Sequence, residues 1–169
     1  MNKGIILAGG LGTRLWPITK TISKQLLPVF DKPLIYYSLT TLMLSNIREI
    51  LIITKEKDED NYRNLLGDGS QWGMSISYKI QNNPNGIPEA FILGEKFIDN
   101  SNVALILGDN IFYGSSFSDI LQKTILNFEK PTIFLFNIND PSQYGVAELK
   151  SEKLKKIVEK PNSFVSNWV

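Results

Sequence analysis

Short apolar runs alternate with polar, helix-spaced segments along most of the chain. Residues 4–8, 49–54 and 103–107 are nearly continuous apolar stretches bounded by turn residues, the pattern of strands buried on both faces. Residues 74–80 alternate instead, with Ile76, Tyr78 and Ile80 on one side, which predicts a half-buried strand. Helices are predicted from Pro33 to about residue 45, over 58–66, from Pro88 to about 97, and near 117–128. The first would bury Leu34, Tyr37, Leu42 and Leu44, and Gly67-Asp68-Gly69-Ser70 would end the second. A strand over 132–136 and a hairpin of 146–149 with 154–159, joined by a lysine-rich turn, complete the set. Buried strands alternating with helices predict an α/β fold with a mostly parallel sheet covered on both sides. Residues 9–33 fit neither period. They hold Pro17, Pro28 and Pro33 and read as one long structured loop, a kind of segment that tends to be functional.

Composition narrows the chemistry more than the fold. The 169 residues suit one domain, 1–169, and 43% hydrophobic with 21% charged residues is ordinary for a globular protein. A net charge of +1 argues against duplex DNA or an anionic membrane as a bulk electrostatic partner. There is no Cys and no His. Disulfides, thiolate nucleophiles, imidazole metal sites and Ser-His-Asp triads are thereby excluded. Any catalysis must run on carboxylates, Lys, Arg, hydroxyls, backbone amides or a hard metal ion. No apolar run approaches 18 residues, and the N-terminal apolar stretch meets Gly9-Gly10 too soon for a signal peptide. The expected location is cytoplasmic.

Open parallel sheets bind ligands at the carboxyl ends of their strands, and three polar clusters are predicted there: 9–14, 81–86 and 108–110. Closely spaced glycines let backbone N–H groups approach phosphate oxygens, although a plain turn uses the same residues. The phosphate-binding P-loop would need Lys-Ser/Thr after its last glycine, where Thr13-Arg14 stands; the dinucleotide fingerprint would need Gly at Leu15. Neither fits. Residues 1–33 nonetheless carry Lys3, Arg14, Lys20, Lys24 and Lys32 against Asp31 alone, which suggests a bound anion such as a polyphosphate or, more blandly, a solvated basic face. Asp109, directly after a buried strand, suits a Mg²⁺ ligand and equally a surface turn. Gln81 offers a donor and an acceptor side by side, as a uracil or thymine edge requires, or is simply a loop glutamine. Glu159-Lys160-Pro161 places a cation at a strand end, as many charged hairpin ends do.

Residues 4–17 (GIILAGGLGTRLWP) and 23–28 (SKQLLP) resemble the signature of sugar-1-phosphate nucleotidylyltransferases. Within that group, residues 31–37, 66–73 and 107–114 resemble the glucose-1-phosphate thymidylyltransferases, and Asp140-Pro141, Tyr144-Gly145-Val146 and Glu159-Lys160-Pro161 continue the match in order. The resemblance runs from residue 3 to about 168. It implies a three-layer Rossmann-like nucleotidyltransferase fold and a reaction joining dTTP to glucose 1-phosphate, with Mg²⁺, to give dTDP-glucose and pyrophosphate for activated-deoxysugar biosynthesis. It further implies that Leu7, Ala8, Gly9, Gly10, Gly12, Thr13, Arg14, Lys24 and Gln25 surround the nucleotide. Arg14 and Lys24 would neutralise the departing pyrophosphate, and Gln81 and Gly86 would receive the base. Asp109 would hold Mg²⁺, Asn110 would lie near the sugar, and Gly145, Glu159 and Lys160 would contact the sugar phosphate, Lys160 with a catalytic role.

The same resemblance implies the N-terminal part of a longer, homo-oligomeric protein, without its C-terminal sugar-binding and interface portion. Such a part is expected to bind nucleotide weakly, to expose Phe164, Trp168 and Val169, and to self-associate. One departure stands out. Where these transferases read Leu-Ala-Gln-Ala, this chain reads Ile87-Pro88-Glu89-Ala90, removing a backbone donor and adding a negative charge near the base pocket. Two alternatives remain open: a non-catalytic nucleotide-binding module of the same fold, and a UTP-using relative.

Overall fold

The computed structural model describes residues 2–150 and 153–169. The chain divides into two compact units, one running through Asn127 and the other Phe128–Val169.

The first unit is built on four parallel strands: β1 (Asn2–Leu7), β4 (Glu49–Thr54), β5 (Ser75–Ile80) and β6 (Asn102–Leu107). Their order across the sheet is β5-β4-β1-β6. Every neighbouring pair is parallel, with Ile5 opposite Leu51 on one side and Leu105 on the other. The apolar runs are continuous because both faces are covered. Ile6, Ile50, Ile52 and Ile106 pack with Leu39 and Leu42 of α1 (Ile35–Leu44) and with Tyr62 and Leu66 of α2 (Glu56–Leu66). On the other face Ile5, Leu51 and Ile53 pack with Ala90 of α3 (Glu89–Leu93), with Phe97 and Ile98 of α4 (Glu95–Ile98) alongside. Residues alternating along β1 and β4 therefore enter different cores, as the two-residue strand period requires. A fifth helix, α5 (Phe117–Leu126), follows β6 and contributes Ile125 to the first core.

Three expectations need correction. The first helix begins at Ile35, and its buried face is Ile35, Leu39 and Leu42 with Ser38 and Thr41. Leu44 points outward, 44% exposed, because it lies two positions from Leu42 and a helix turns about 100° per residue. The helix expected over 88–97 is two short helices parted at Gly94, a residue of poor helix propensity. Residues 132–136 form no strand. They precede a short pairing within the second unit: Phe136 and Val169 exchange both backbone hydrogen bonds, at 2.8 and 2.9 Å, and Ile138 N–H donates to Asn167 O. β-rich composition alone does not decide where a strand forms, because tertiary context sets the pairing.

The long loop is ordered by three single turns of 3₁₀ helix, Thr13–Leu15, Ile18–Lys20 and Lys24–Leu26. A two-residue ribbon of β2 (Pro28–Val29) and β3 (Lys32–Pro33) closes it. In the second unit β7 (Gly145–Lys150) and β8 (Lys153–Glu159) form the expected hairpin. Residues 151 and 152 of its lysine-rich turn lie outside the described residues. Phe164 is 75% and Trp168 39% exposed, whereas Val169 is half-buried and belongs to the backbone pairing just described. Among the described residues no helix is long and apolar enough to cross a membrane.

Candidate nucleotide site

The sheet order dictates where a site can form. From β1 the chain moves to β4 and β5 on one side, then returns to β6 on the other. The loops leaving β1 and β6 thus diverge, and the carboxyl ends of these two neighbouring strands are the switch point at which open α/β sheets form a binding crevice. Residues 9–14 and 108–110 are those two loops.

Leu7 and Ala8 end β1 with their backbone used structurally: Ala8 N–H donates to Ile53 O at 2.7 Å, and Leu7 O accepts from Gly108 N–H at 2.9 Å. Gly12 has φ +63°, a left-handed conformation that an L side chain resists, and it launches the turn of Thr13, Arg14 and Leu15. Thr19 Oγ1 donates to Gly12 O at 2.7 Å and anchors that turn. Gly10, Thr13 and Arg14 are exposed, and no hydrogen bond or ion pair engages the Arg14 guanidinium among the described residues.

The turn at Lys24–Leu26 lies across the crevice. Ser23 Oγ donates to Gln25 Oε1 at 2.7 Å and shares a 2.9 Å hydrogen bond with the Tyr62 hydroxyl, beneath the turn. Burial raises the Tyr62 phenol far above its ordinary pKa, so it stays neutral and serves this contact. Gln25 reaches the far strand: a Cβ on Gly108 would come within 3.0 Å of its Cγ. Lys24 Nζ pairs with Asp109 Oδ2 at 2.9 Å, each side chain about one-third exposed. Ser38 Oγ of α1 bridges Leu107 O at 3.0 Å and Asn110 O at 3.3 Å, which secures the 108–110 turn.

Gln81 follows β5 at the opposite edge of the sheet yet reaches β1. A Cβ on Gly9 would collide with Gln81 Oε1, so Gly9 leaves the space that the amide fills. Gln81 Nε2 donates to Glu89 Oε2 at 2.5 Å, and Asn85 donates to the same carboxylate through Nδ2, 2.9 Å, and its backbone N–H, 3.2 Å. The hydrogen bond from Gln81, ahead of those from Asn85, holds the Glu89 carboxyl below the usual carboxylate range. Gly86 closes the loop at φ +100°.

Leu7, Ala8, Gly9, Gly10, Gly12, Thr13, Arg14, Lys24, Gln25, Gln81, Gly86, Asp109 and Asn110 thus belong to the first unit, where the contacts above join Gly9 to Gln81, Gln25 to Gly108 and Lys24 to Asp109. Gly145, Glu159 and Lys160 belong to the second. There Gly145 is paired with Glu159 across the hairpin, and Lys160, at φ +41°, donates its N–H to Tyr144 O at 2.9 Å. Tyr62, Ser38 and Glu89 as a clamp are not legible as site residues in the sequence. Only Glu89 leaves a trace, four residues after Asn85 and eight after Gln81.

As for a metal, no group of three or more His, Cys, Asp or Glu side chains is assembled among the described residues. Asp109 stands in the 108–110 turn, with its carboxylate beside an ammonium that a bound cation would have to replace. That donor set fits Mg²⁺, which takes one or two carboxylates with phosphate oxygens and water, and does not fit a metal that demands a full protein cage.

Known proteins can now be compared with this geometry. Glucose-1-phosphate thymidylyltransferase of Neisseria meningitidis is 52% identical over 98% of the chain, which spans 58% of that protein's length. A Bacillus anthracis protein assigned as a glucose-1-phosphate thymidylyltransferase and solved with sucrose has a TM-score of 0.91 at 38% identity, over 99% of this chain and 68% of its own. UDP-glucose pyrophosphorylase in complex with UDP-glucose has a TM-score of 0.80 at 27% identity, over 99% of this chain and 73% of its own. The sheet and its covering helices are thus the Rossmann-like α/β architecture of nucleotidyltransferases. A family model described as nucleotidyl transferase matches residues 3–169, and the chain belongs to that family.

Proposed function

We propose that this chain is the nucleotide-binding part of an enzyme that transfers a thymidylyl group from dTTP to glucose 1-phosphate, releasing pyrophosphate. The observation that carries the reading is the Lys24–Asp109 ion pair at the switch point, beside the Gly9–Gly12 turn. A cation and a carboxylate facing each other over a glycine turn are what a metal-bound triphosphate requires. The names and similarity of the relatives support the same reading.

The attacking group would be a phosphate monoester, already anionic at neutral pH. A chain without His needs no general base for it, and the work is positioning and charge stabilisation. Backbone N–H groups of residues 9–14 would receive the triphosphate. Lys24 would release Asp109 and, with Arg14, offset the charge growing on pyrophosphate. Asp109 would hold Mg²⁺, whose contribution when bound is to neutralise phosphate oxygens. Gln81 and Gly86 would receive the pyrimidine, and Asn110 would face the sugar. Gly145, Glu159 and Lys160 would contact the sugar phosphate. A cytoplasmic, homo-oligomeric full-length protein completes the reading.

Turnover of labelled glucose 1-phosphate with dTTP, against UTP, tests it. Formation of dTDP-glucose with release of pyrophosphate supports the reading; tight dTTP binding without product makes the chain a binding module only. A UTP-using enzyme is the second reading, favoured by the likeness to UDP-glucose pyrophosphorylase. Thymine and uracil differ by one methyl, worth about 1 kcal/mol in an apolar pocket, so only the two-substrate comparison separates them.

A further inference from the structure

We propose that Glu89 is a positioning residue that fixes which end of the Gln81 amide faces the base, and so makes the site select a pyrimidine carrying hydrogen on N3. The inference rests on the proposed dTTP-binding function and concerns a residue outside the groups that would touch the nucleotide.

A glutamine amide is a nearly symmetric reader. Its oxygen accepts, its nitrogen donates, and a half-turn about the last bond exchanges them. Free in solvent, Gln81 could meet either an N3–H donor, as in thymine and uracil, or the N3 lone pair of cytosine. Glu89 removes that freedom. Its ionised carboxylate only accepts, so the end of Gln81 turned toward it must be the NH₂ group, independent of how the two ends would otherwise be assigned. The hydrogen bonds from Gln81 and Asn85 keep the carboxyl ionised. The oxygen is then left against Gly9, at the end of β1 where the glycine turn begins.

Two further observations make this a built arrangement. Gln81 is only 3% exposed, and its backbone N–H is tied to Thr54 O at 2.7 Å, so the side chain does not swing freely. The same carboxylate also takes both the backbone and the side-chain donors of Asn85, the residue before Gly86. One side chain thereby secures both the amide and the loop that would meet the base. An acceptor oxygen fixed at that place complements N3–H and opposes the lone pair of cytosine N3.

The test measures binding of dTTP, dCTP, UTP and tripolyphosphate to the 169-residue chain and to Glu89→Ala, Glu89→Met, Gln81→Ala and Gln81→Ala/Glu89→Ala. The dTTP:dCTP affinity ratio is the readout, because losing a negative charge shifts all triphosphates together and cancels in the ratio. The parent should prefer dTTP at least about tenfold. Glu89→Ala should erase most of that preference while leaving the dTTP:UTP ratio unchanged. Glu89→Met, which keeps much of the length but offers Gln81 no strong acceptor, should relax the preference likewise and carries the test if the alanine variant does not fold. With Gln81 already replaced, Glu89→Ala should change the ratio no further. A parental preference that survives Glu89→Met, or an equal effect of Glu89→Ala with and without Gln81, overturns the proposal alone. A parent that binds no triphosphate, or binds dTTP no better than tripolyphosphate, overturns the function reading and the inference with it.

Discussion

Replacing Gly9 with alanine, against the same change at Gly10, separates a packed glycine from a free one in adjacent positions. A Cβ at Gly9 lands on Gln81 Oε1, and the amide can yield only by turning away from Glu89, because its backbone is fixed at the end of β5. Forcing a packed side chain out of place costs about 1–3 kcal/mol. In a chain of 169 residues each kcal/mol moves the melting point by about 2–4 °C, so Gly9→Ala should melt roughly 2–12 °C below the parent. A Cβ at Gly10 meets nothing within 4 Å, and Gly10 has no positive φ. Gly10→Ala should therefore stay within about 0.5 kcal/mol of the parent. Thermal melts of the three proteins read the stability, and titration with dTTP and with tripolyphosphate reads the site. Gly9→Ala should lose its advantage for dTTP over tripolyphosphate, and Gly10→Ala should keep it. Equal damage from both substitutions, or a Gly9→Ala protein that melts and binds like the parent, would refute the packing of Gln81 against Gly9.

Arg14→Ala should weaken dTTP binding by roughly 1.5–3 kcal/mol, as loss of a charge-assisted hydrogen bond would, with little change in stability since the guanidinium has no described partner. Calorimetric titration checks it, and equal parental affinity for dTTP and thymidine would rule out a phosphate contact. Asp109→Asn removes a partly exposed ion pair and should alter stability by only about 0–1 kcal/mol, while the Mg²⁺ dependence of dTTP binding falls. An unchanged Mg²⁺ titration would make Asp109 a turn residue. Tyr62→Phe deletes a buried hydroxyl whose partner Ser23 keeps Gln25, so a urea midpoint shift equivalent to about 0.5–1.5 kcal/mol is expected. Burial pushes the Tyr78 phenol up from 10.0 to about 12. Its folded form therefore holds the proton more tightly, so its contribution is complete below pH 10 and is lost as pH rises toward 12. Melting curves over that window should decline less steeply for Tyr78→Phe.

How much of this was legible in the sequence follows from the range of the forces involved. The strands β1, β4 and β6 could be read directly, because a segment buried on both faces must be apolar throughout, and so could α2, with its terminating glycine cluster. The absence of His and Cys excludes whole reaction classes whatever the fold. The Gly9–Arg14 loop, Asp109 and Gln81 were visible as polar clusters after strands, but each equally suited an ordinary turn. Tertiary structure adds which of them meet. Order β5-β4-β1-β6 puts residues 9 and 108 on adjacent strands, and only then do Lys24 and Asp109, 85 residues apart, meet at 2.9 Å. The break at Gly94, the outward Leu44 and the missing strand at 132–136 were likewise decided by which partners the fold supplies, which no local pattern encodes. The Glu89 clamp shows the division most clearly. Its spacing from Asn85 lies in the sequence, but its hold on Gln81 requires the turn after β5 to fold back over α3, a contact made by chain path rather than by periodicity.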